Sequence, residues 1–178
     1  MKKARKGQSK LIFVLGGAAS GKSQAALDLA GPGGPRAFVA TGQALDREMK
    51  VRIERHRATR SPEWETEEVL TDLAKWFIDN SQSYHAIVID CLTLWLSNVT
   101  GKRQDNVAVS KATANLLQTI RATRARVVVV SNELGLGLVP ATKAVRAFRD
   151  LAGRVNQQVA AEADEVYLVV SGLPLRLK

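Results

Sequence analysis

The sequence predicts a single α/β domain: a mostly parallel sheet with helices on both faces and an antiparallel C-terminal edge strand. Three observations predict it. Short runs of apolar, mostly β-branched residues alternate with stretches of helical periodicity. Those runs are apolar at nearly every position, as in parallel strands covered on both sides. The chain has 178 residues, 46% of them hydrophobic, which is enough for one sizeable core and too apolar for a disordered chain.

The expected strands are Leu11–Leu15, Ala37–Thr41, Ala86–Asp90, Val127–Ser131 and Val166–Val170. A helix over Ser23–Ala30 opens directly after a glycine-rich turn. A second, Leu45–Arg57, carries Leu45, Met49 and Ile53 on one stripe. A third, after Pro62, places Val69, Leu70, Leu73 and Phe77 on one face, and a fourth runs near Val107–Thr123. The last starts near Thr142, whose hydroxyl suits a helix N-cap, and lines up Val145, Phe148, Ala152, Val155 and Val159. Gly172 and Pro174 then break the chain, and Leu175–Leu177 returns as the antiparallel edge strand. No internal repeat or long low-complexity linker interrupts this alternation.

The formal net charge is +9, which invites a nucleic-acid or membrane reading. Its distribution argues otherwise. The opening MKKARKGQSK holds Lys2, Lys3, Arg5, Lys6 and Lys10 and no acid. Residues 1–9 therefore read as a basic, flexible tail, and residues 10–178 as one nucleotide-binding catalytic domain. No basic stretch is interleaved with aromatics in the manner of a nucleic-acid motif. Leu11–Leu15 is too short for the core of a signal peptide, and no run reaches the roughly 18 apolar residues of a membrane span. The single cysteine, Cys91, excludes an internal disulfide and reads as a small buried apolar residue. A cytoplasmic enzyme without stable membrane insertion fits these constraints.

Gly16-Gly17-Ala18-Ala19-Ser20-Gly21-Lys22-Ser23 fits the pattern G-x-x-x-x-G-K-S between a strand and a helix, which is the context of a phosphate-binding loop. Small residues let backbone N–H groups curl around phosphate oxygens, and the helix N-terminus adds positive field. Lys22 reaches the β- and γ-phosphates, and Ser23 is placed to ligate Mg²⁺. The second Mg²⁺-side carboxylate is Asp90, at the end of the Ala86–Asp90 strand; the alternative is an ordinary strand-terminal Asp that caps the next turn. The fold is thus P-loop NTPase-like, a class shared by many unrelated functions.

A second informative stretch, VATGQALDREMKVRIERHRATR, follows the second strand. Arg52 and His56 continue its apolar stripe. Spacing alone favours a packed, hydrogen-bonded His56 near a helix terminus. A stripe that turns from Leu and Met to Arg and His also reads as a face leaving the core for a cleft. Arg55, Arg57 and Arg60 would favour the neutral, nucleophilic imidazole there and attract a triphosphate. His85, the only other histidine, precedes the third strand at the opposite end and reads as structural.

The blocks GGAASGKS, VATGQALDREMKVRIERHR, IDCLTLWLSN, SNELGLGLVP and FRDLAGRVNQQVAAEADEVYLVVSGLPLRLK occur in that order from about Lys10 to Lys178. In this combination the chain resembles the bifunctional adenosylcobinamide kinase / adenosylcobinamide-phosphate guanylyltransferase family of cobalamin biosynthesis. The resemblance implies two reactions. The γ-phosphate of ATP or GTP goes to the aminopropanol hydroxyl of adenosylcobinamide. GTP then guanylylates a histidine, and the GMP passes to adenosylcobinamide phosphate, giving adenosylcobinamide-GDP and pyrophosphate. The family's histidine falls on His56, which reverses the preference drawn from spacing. Its nucleotide contacts fall on Gly16 to Ser23, on Ala40, Thr41 and Gly42, on Arg57, Ala58, Thr59 and Arg60, on Glu68 and on Asp90. It also implies a homotrimer with the nucleotide near a subunit boundary. Ala19 stands where the family commonly has arginine, Ala58 and Thr59 precede Arg60 where a glycine is expected, and Asp90 stands where a glutamate also occurs.

Glu133 reads either as a group that orients or deprotonates the substrate hydroxyl or as a carboxylate that holds Gly135 and Gly137. Arg154, Asn156 and Gln157 either bridge subunits or structure the site. Trp64, Trp76 and Trp95 read as packing groups. Two other functions use the same loop: a P-loop small-molecule kinase without guanylyltransferase activity, which has no need of His56, and a nucleotide-switched binding protein.

Overall fold

The computed structural model describes residues 9–43, 47, 62–101 and 105–178. Among them, in chain order, are β1 (Leu11–Gly16), α1 (Lys22–Ala30), β2 (Arg36–Ala40), β3 (Trp64–Glu68), α2 (Leu73–Asn80), β4 (Ala86–Asp90), α3 (Leu92–Thr100), α4 (Asn106–Ala122), β5 (Arg126–Asn132), α5 (Lys143–Glu162), β6 (Glu165–Val170) and β7 (Leu173–Arg176). The strands form one sheet in the order β3-β2-β4-β5-β1-β6-β7. All neighbours run parallel except β6 and β7, which pair antiparallel with Tyr167 opposite Arg176.

The apolar runs form strands because each can bury both of its sides. Leu11 and Phe13, Ile87 and Ile89, and Val127 and Val129 point to one face, under α2, α3, α4 and α5. Their alternates Ile12 and Val14, Val88, and Val128 and Val130 point to the other, against Ala25, Ala26 and Ala30 of α1. Each fully buried large side chain contributes roughly 1.5–3 kcal/mol of transfer free energy. The three tryptophans are packing groups: Trp76 and Trp95 sit in the first cluster and Trp64 in the second.

Two sequence expectations are corrected. The segment directly after Pro62 is not helical: Trp64–Glu68 is strand β3, paired in parallel with β2, and the helix begins only at Leu73. Trp64 is buried while Glu65 and Glu68 are exposed, a composition that suits an edge strand with one open side. Asp72 stops the extended chain by accepting a 3.1 Å bond from Lys75 N–H as the N-cap of α2. The IDCLTLWLSN block also contains an unanticipated helix, α3. Thr142 is the N-cap of α5, as expected. The antiparallel edge strand is present but spans Leu173–Arg176, with Pro174 tolerated because β7 is the outermost strand. The expected Leu45–Arg57 helix and the basic tail lie outside the described residues, apart from Arg47 and Ser9.

The N-terminal edge of the sheet is tied by Asp164, which follows α5. Its Oδ2 accepts from Leu11 N–H at 2.8 Å and from Arg121 Nη1 at 2.8 Å, and Arg121 also reaches the Ser9 and Glu162 carbonyls. Burial raises the Asp164 carboxyl. The hydrogen bonds from Arg121 and Leu11 and the charges of Arg121 and Lys178 outweigh it and hold the group below the usual carboxylate range.

A carboxyl depressed in the folded state adds stability that is present above its unfolded pKa and is lost as the pH falls through its folded one. The side chain is 45% exposed, so water screens the pair. Asp164→Asn is expected to destabilise the protein by about 1 kcal/mol at pH 7, with the gap to wild type closing as the pH falls below about 4. Urea titrations at several pH values check this; a gap equally wide at pH 7 and pH 3 contradicts it.

Candidate active site

Parallel strands in register deliver their C-terminal ends to one edge of the sheet. Gly16 lies opposite Asn132 and Val169, Asp90 beside Ala40 and Val130, and Ala40 beside Glu68. The structure therefore brings the Gly16–Ser23 loop, Ala40, Thr41, Gly42, Glu68 and Asp90 to a single edge. His56, Arg57, Ala58, Thr59 and Arg60 lie outside the described residues. His85 sits at the other end of β4, where its N–H donates to Pro35 O at 2.8 Å and its carbonyl accepts from Arg126 N–H at 2.9 Å. Its place, at the end of β4 away from the Gly16–Ser23 loop, is the one the sequence predicts.

The loop closes tightly on the β6–β7 turn. A Cβ on Gly16 would lie 2.6 Å from both Val169 O and Ser20 Oγ, and Gly172 N–H donates to Ser20 O at 2.8 Å. Gly21, at φ 93°, leads into α1 in a left-handed conformation where a side chain is strained, and its Cβ would meet Gly172 Cα at 3.0 Å. Ala19 is also left-handed, at φ 54°. The Ser20 hydroxyl is buried without a hydrogen-bond partner among the described residues. Such an orphaned donor inside a loop of backbone N–H groups suits a phosphate oxygen.

Lys22 begins α1 and is only 8% exposed. Its Nζ donates to Gly17 O, folding the ammonium over the loop. One position on, Ser23 Oγ donates to Asp90 Oδ2 at 2.5 Å. A hydroxyl and a carboxylate in contact are hard oxygen donors, the kind Mg²⁺ takes from a protein beside nucleotide phosphates. Among the described residues, no group of three or more His, Cys, Asp or Glu offers an all-protein metal cage.

Asp90 is held in place by its neighbours. Thr41 N–H donates to Asp90 O at 3.1 Å, Thr41 Oγ1 donates to Cys91 O at 2.6 Å, and Cys91 N–H donates back to Thr41 Oγ1 at 2.8 Å. Asn98 of α3 clamps the same corner, donating to Thr41 O at 2.8 Å and Leu70 O at 2.9 Å. Burial, then the Asp90 charge, push the Cys91 thiol up to about 11, so it is a packed thiol and not a thiolate nucleophile.

A second network fixes the end of β5. Ser131 Oγ donates to Asn156 Oδ1 at 2.8 Å, Asn156 Nδ2 donates to Asn132 O at 3.1 Å, and Asn132 N–H donates to Thr93 Oγ1 at 2.9 Å. Of the two readings of Asn156, the structure shows it organising this edge. Sequence reasoning overlooked Thr93 and Asn98. The available signal was a polar side chain within an apolar helical stripe, as Asn156 is within Ala152, Val155 and Val159. Glu133 follows: its N–H donates to Gly16 O at 3.0 Å, and its Oε1 accepts from Gly135 N–H at 2.7 Å. It does hold Gly135, as one reading required, and it also lines a cleft of about 360 Å³ with Gly135, Arg149, Asp150, Gly153 and Gln157.

The buried, high-pKa thiol is expected to resist Ellman's reagent at pH 8 in the native protein and to react stoichiometrically once unfolded in guanidinium. Full reaction within minutes in the native state contradicts the burial of Cys91.

The cobinamide kinase / cobinamide phosphate guanyltransferase family model matches residues 12–177. The chain is 38% identical over 180 residues to the bifunctional adenosylcobalamin biosynthesis protein CobU of Escherichia coli, covering 94% of this chain and 99% of that one. It is 39% identical over 167 residues to the bifunctional adenosylcobalamin biosynthesis protein CobP of Pseudomonas aeruginosa, covering 93% and 96%. More distant structures share the P-loop NTPase-like fold. The flagellar accessory protein FlaH from Methanocaldococcus jannaschii superposes with a TM-score of 0.54 at 14% identity, covering 96% of this chain and 79% of that one. The RadB recombinase gives 0.52 at 16%, covering 91% and 74%. The chain belongs to the cobinamide kinase / cobinamide phosphate guanyltransferase family.

Proposed function

We propose that this chain carries out both reactions of its family at the sheet edge described above, with His56 as the covalent carrier of GMP. In the first reaction the aminopropanol hydroxyl of adenosylcobinamide attacks the γ-phosphorus of ATP or GTP. The new O–P bond forms as the bond to the β-phosphate oxygen breaks, the nucleoside diphosphate leaves, and the hydroxyl proton is released to a base or water. In the second, neutral His56 attacks the α-phosphorus of GTP and pyrophosphate leaves. A phosphate oxygen of adenosylcobinamide phosphate then displaces the histidine, giving adenosylcobinamide-GDP.

The observation that carries the nucleotide half of this reading is the Ser23–Asp90 contact at 2.5 Å, which joins the phosphate loop to the end of β4. Backbone N–H groups of Gly16 to Ser23 hold phosphate oxygens, Lys22 supplies a positive charge, and Ser20 Oγ finds its missing partner there. Ser23 and Asp90 would hold Mg²⁺, which would neutralise charge developing on the phosphates. Ala40, Thr41, Gly42 and Glu68 lie on the same edge and serve as further nucleotide contacts. The resemblance adds Arg57, Ala58, Thr59 and Arg60 as further nucleotide contacts. The five ordered sequence blocks support a cytoplasmic homotrimer that acts on small corrinoid substrates and not on nucleic acid.

Incubation with α-labelled GTP and Mg²⁺, without corrinoid, is expected to leave acid-labile, base-stable label on wild type and none on His56→Ala. No label on folded, GTP-binding wild type removes the guanylyltransferase half and leaves a P-loop kinase. Equal label on His56→Ala moves the covalent step to another residue.

A further inference from the structure

The cleft beside Glu133 lies next to the phosphate loop but is absorbed by none of the nucleotide chemistry. Glu133 connects the two: its backbone N–H is bonded to Gly16 O, and its side chain lines the cleft. The opposite wall is α5, through Arg149, Asp150, Gly153 and Gln157. At about 360 Å³ the space is at the small end for ligand sites. A space of that size is too small for a corrin macrocycle with its amide arms and large enough for a single hydroxyl-ended arm.

Three further features specify the occupant. The cleft mixes polar and apolar surface, with an amide at Gln157, and its lining carries two carboxylates, Glu133 and Asp150, against one guanidinium, Arg149. Among the described residues, Arg149 makes one ion pair, a loose 3.6 Å contact with the neighbouring Asp150. Such a wall suits a neutral hydroxyl or amide and repels a doubly charged phosphate monoester. Next to the lining residues in sequence stand exposed apolar side chains. Gly135 continues into Leu136, Leu138 and Val139, exposed by 80%, 96% and 71%, and Val145 stands one helical turn before Arg149. Exposed apolar side chains that follow a lining residue in sequence or precede one by a helical turn suit an apolar ligand surface beside the cleft.

We propose that this cleft and rim are the acceptor site of the kinase step. The cleft takes the aminopropanol arm of the corrinoid, the rim takes the apolar face of its macrocycle, and Glu133 and Asp150 select the free hydroxyl over its phosphate. The inference rests on the corrinoid-kinase reading above. It also assigns a physical reason for the phosphorylated intermediate to leave this cleft before the second step: like charge.

Equilibrium dialysis without nucleotide, read by corrinoid absorbance, tests it with adenosylcobinamide and adenosylcobinamide phosphate. Asp150→Asn is expected to shift the ratio of the two affinities toward the phosphate by about fivefold at low salt. Leu138→Asn, at a side chain too exposed to matter for folding, is expected to weaken both ligands by a similar factor of several-fold. An unchanged ratio in Asp150→Asn, or unchanged binding in Leu138→Asn, overturns the assignment. A change of oligomeric mass in Leu138→Asn, read by sedimentation, makes the rim an interface between copies and also overturns it. Wild type that binds GTP but neither corrinoid refutes the corrinoid-kinase reading itself, and this site with it.

Discussion

The phosphate loop exists in its observed form because two glycines let it lie directly against the β6–β7 turn. A Cβ at Gly16 would stand 2.6 Å from a backbone carbonyl, Val169 O, and one at Gly21 would stand 3.0 Å from Gly172 Cα. Backbone cannot yield as a flexible side chain does, so any larger residue at Gly16 must push the loop away from β6. The 2.8 Å bond from Gly172 N–H to Ser20 O then fixes the far side of the loop. The C-terminal hairpin, which sequence reading treated as a peripheral edge, is thus the wall against which the nucleotide loop is shaped. Lys22 and Ser23 inherit their positions from that contact, since α1 starts where the loop ends.

Beneath the edge, buried polar groups hold what the apolar core cannot orient. Each hydrogen bond in the Thr93, Ser131, Asn156 and Asn132 network is worth only about 1 kcal/mol net, but a buried group left unpaired costs about 1–3 kcal/mol. That asymmetry gives the network one satisfied arrangement, and in it the end of β5 is locked to α3 and α5. Thr41 and Asn98 do the same for the end of β2 and for the chain around Asp90 and Cys91. Apolar packing sets which face of a strand is buried; these bonds set where its last residue points.

The parts legible in the sequence were those in which local pattern and burial agree. β1, β4 and β5 are apolar at successive positions because both sides are covered, and G-x-x-x-x-G-K-S states its own turn chemistry. β3 was not legible. Its WETEE composition is polar because its outer side is open, and only pairing with β2 makes it a strand, a tertiary effect that overrides propensity. Helix α3 hid behind Thr93, Trp95 and Thr100, residues with little helical preference, and is held by burial of Leu92, Trp95 and Leu96. Asp90 was legible as a strand-terminal carboxylate near the loop, a position the 2.5 Å contact with Ser23 bears out. Asn98 and Thr93 were not, because their function is visible only in the carbonyl and N–H groups they bond, which sequence spacing does not reveal. His56 came from family resemblance and not from spacing, which favoured a packed side chain.

The parallel arrangement also separates stability from chemistry. Every parallel strand gives its C-terminus to one edge, so residues as distant in sequence as Gly16, Glu68, Asp90 and Asn132 share that edge without any local connection between them. The same geometry gathers the N-termini at the opposite edge, where the start of β1 and the ends of α4 and α5 converge. That edge is closed by Asp164 and Arg121 through ordinary ion pairing and hydrogen bonds. The upper edge must leave certain polar groups incompletely satisfied, as it does at Ser20 Oγ, because a loop whose donors were all paired within the protein would have nothing left to offer a phosphate.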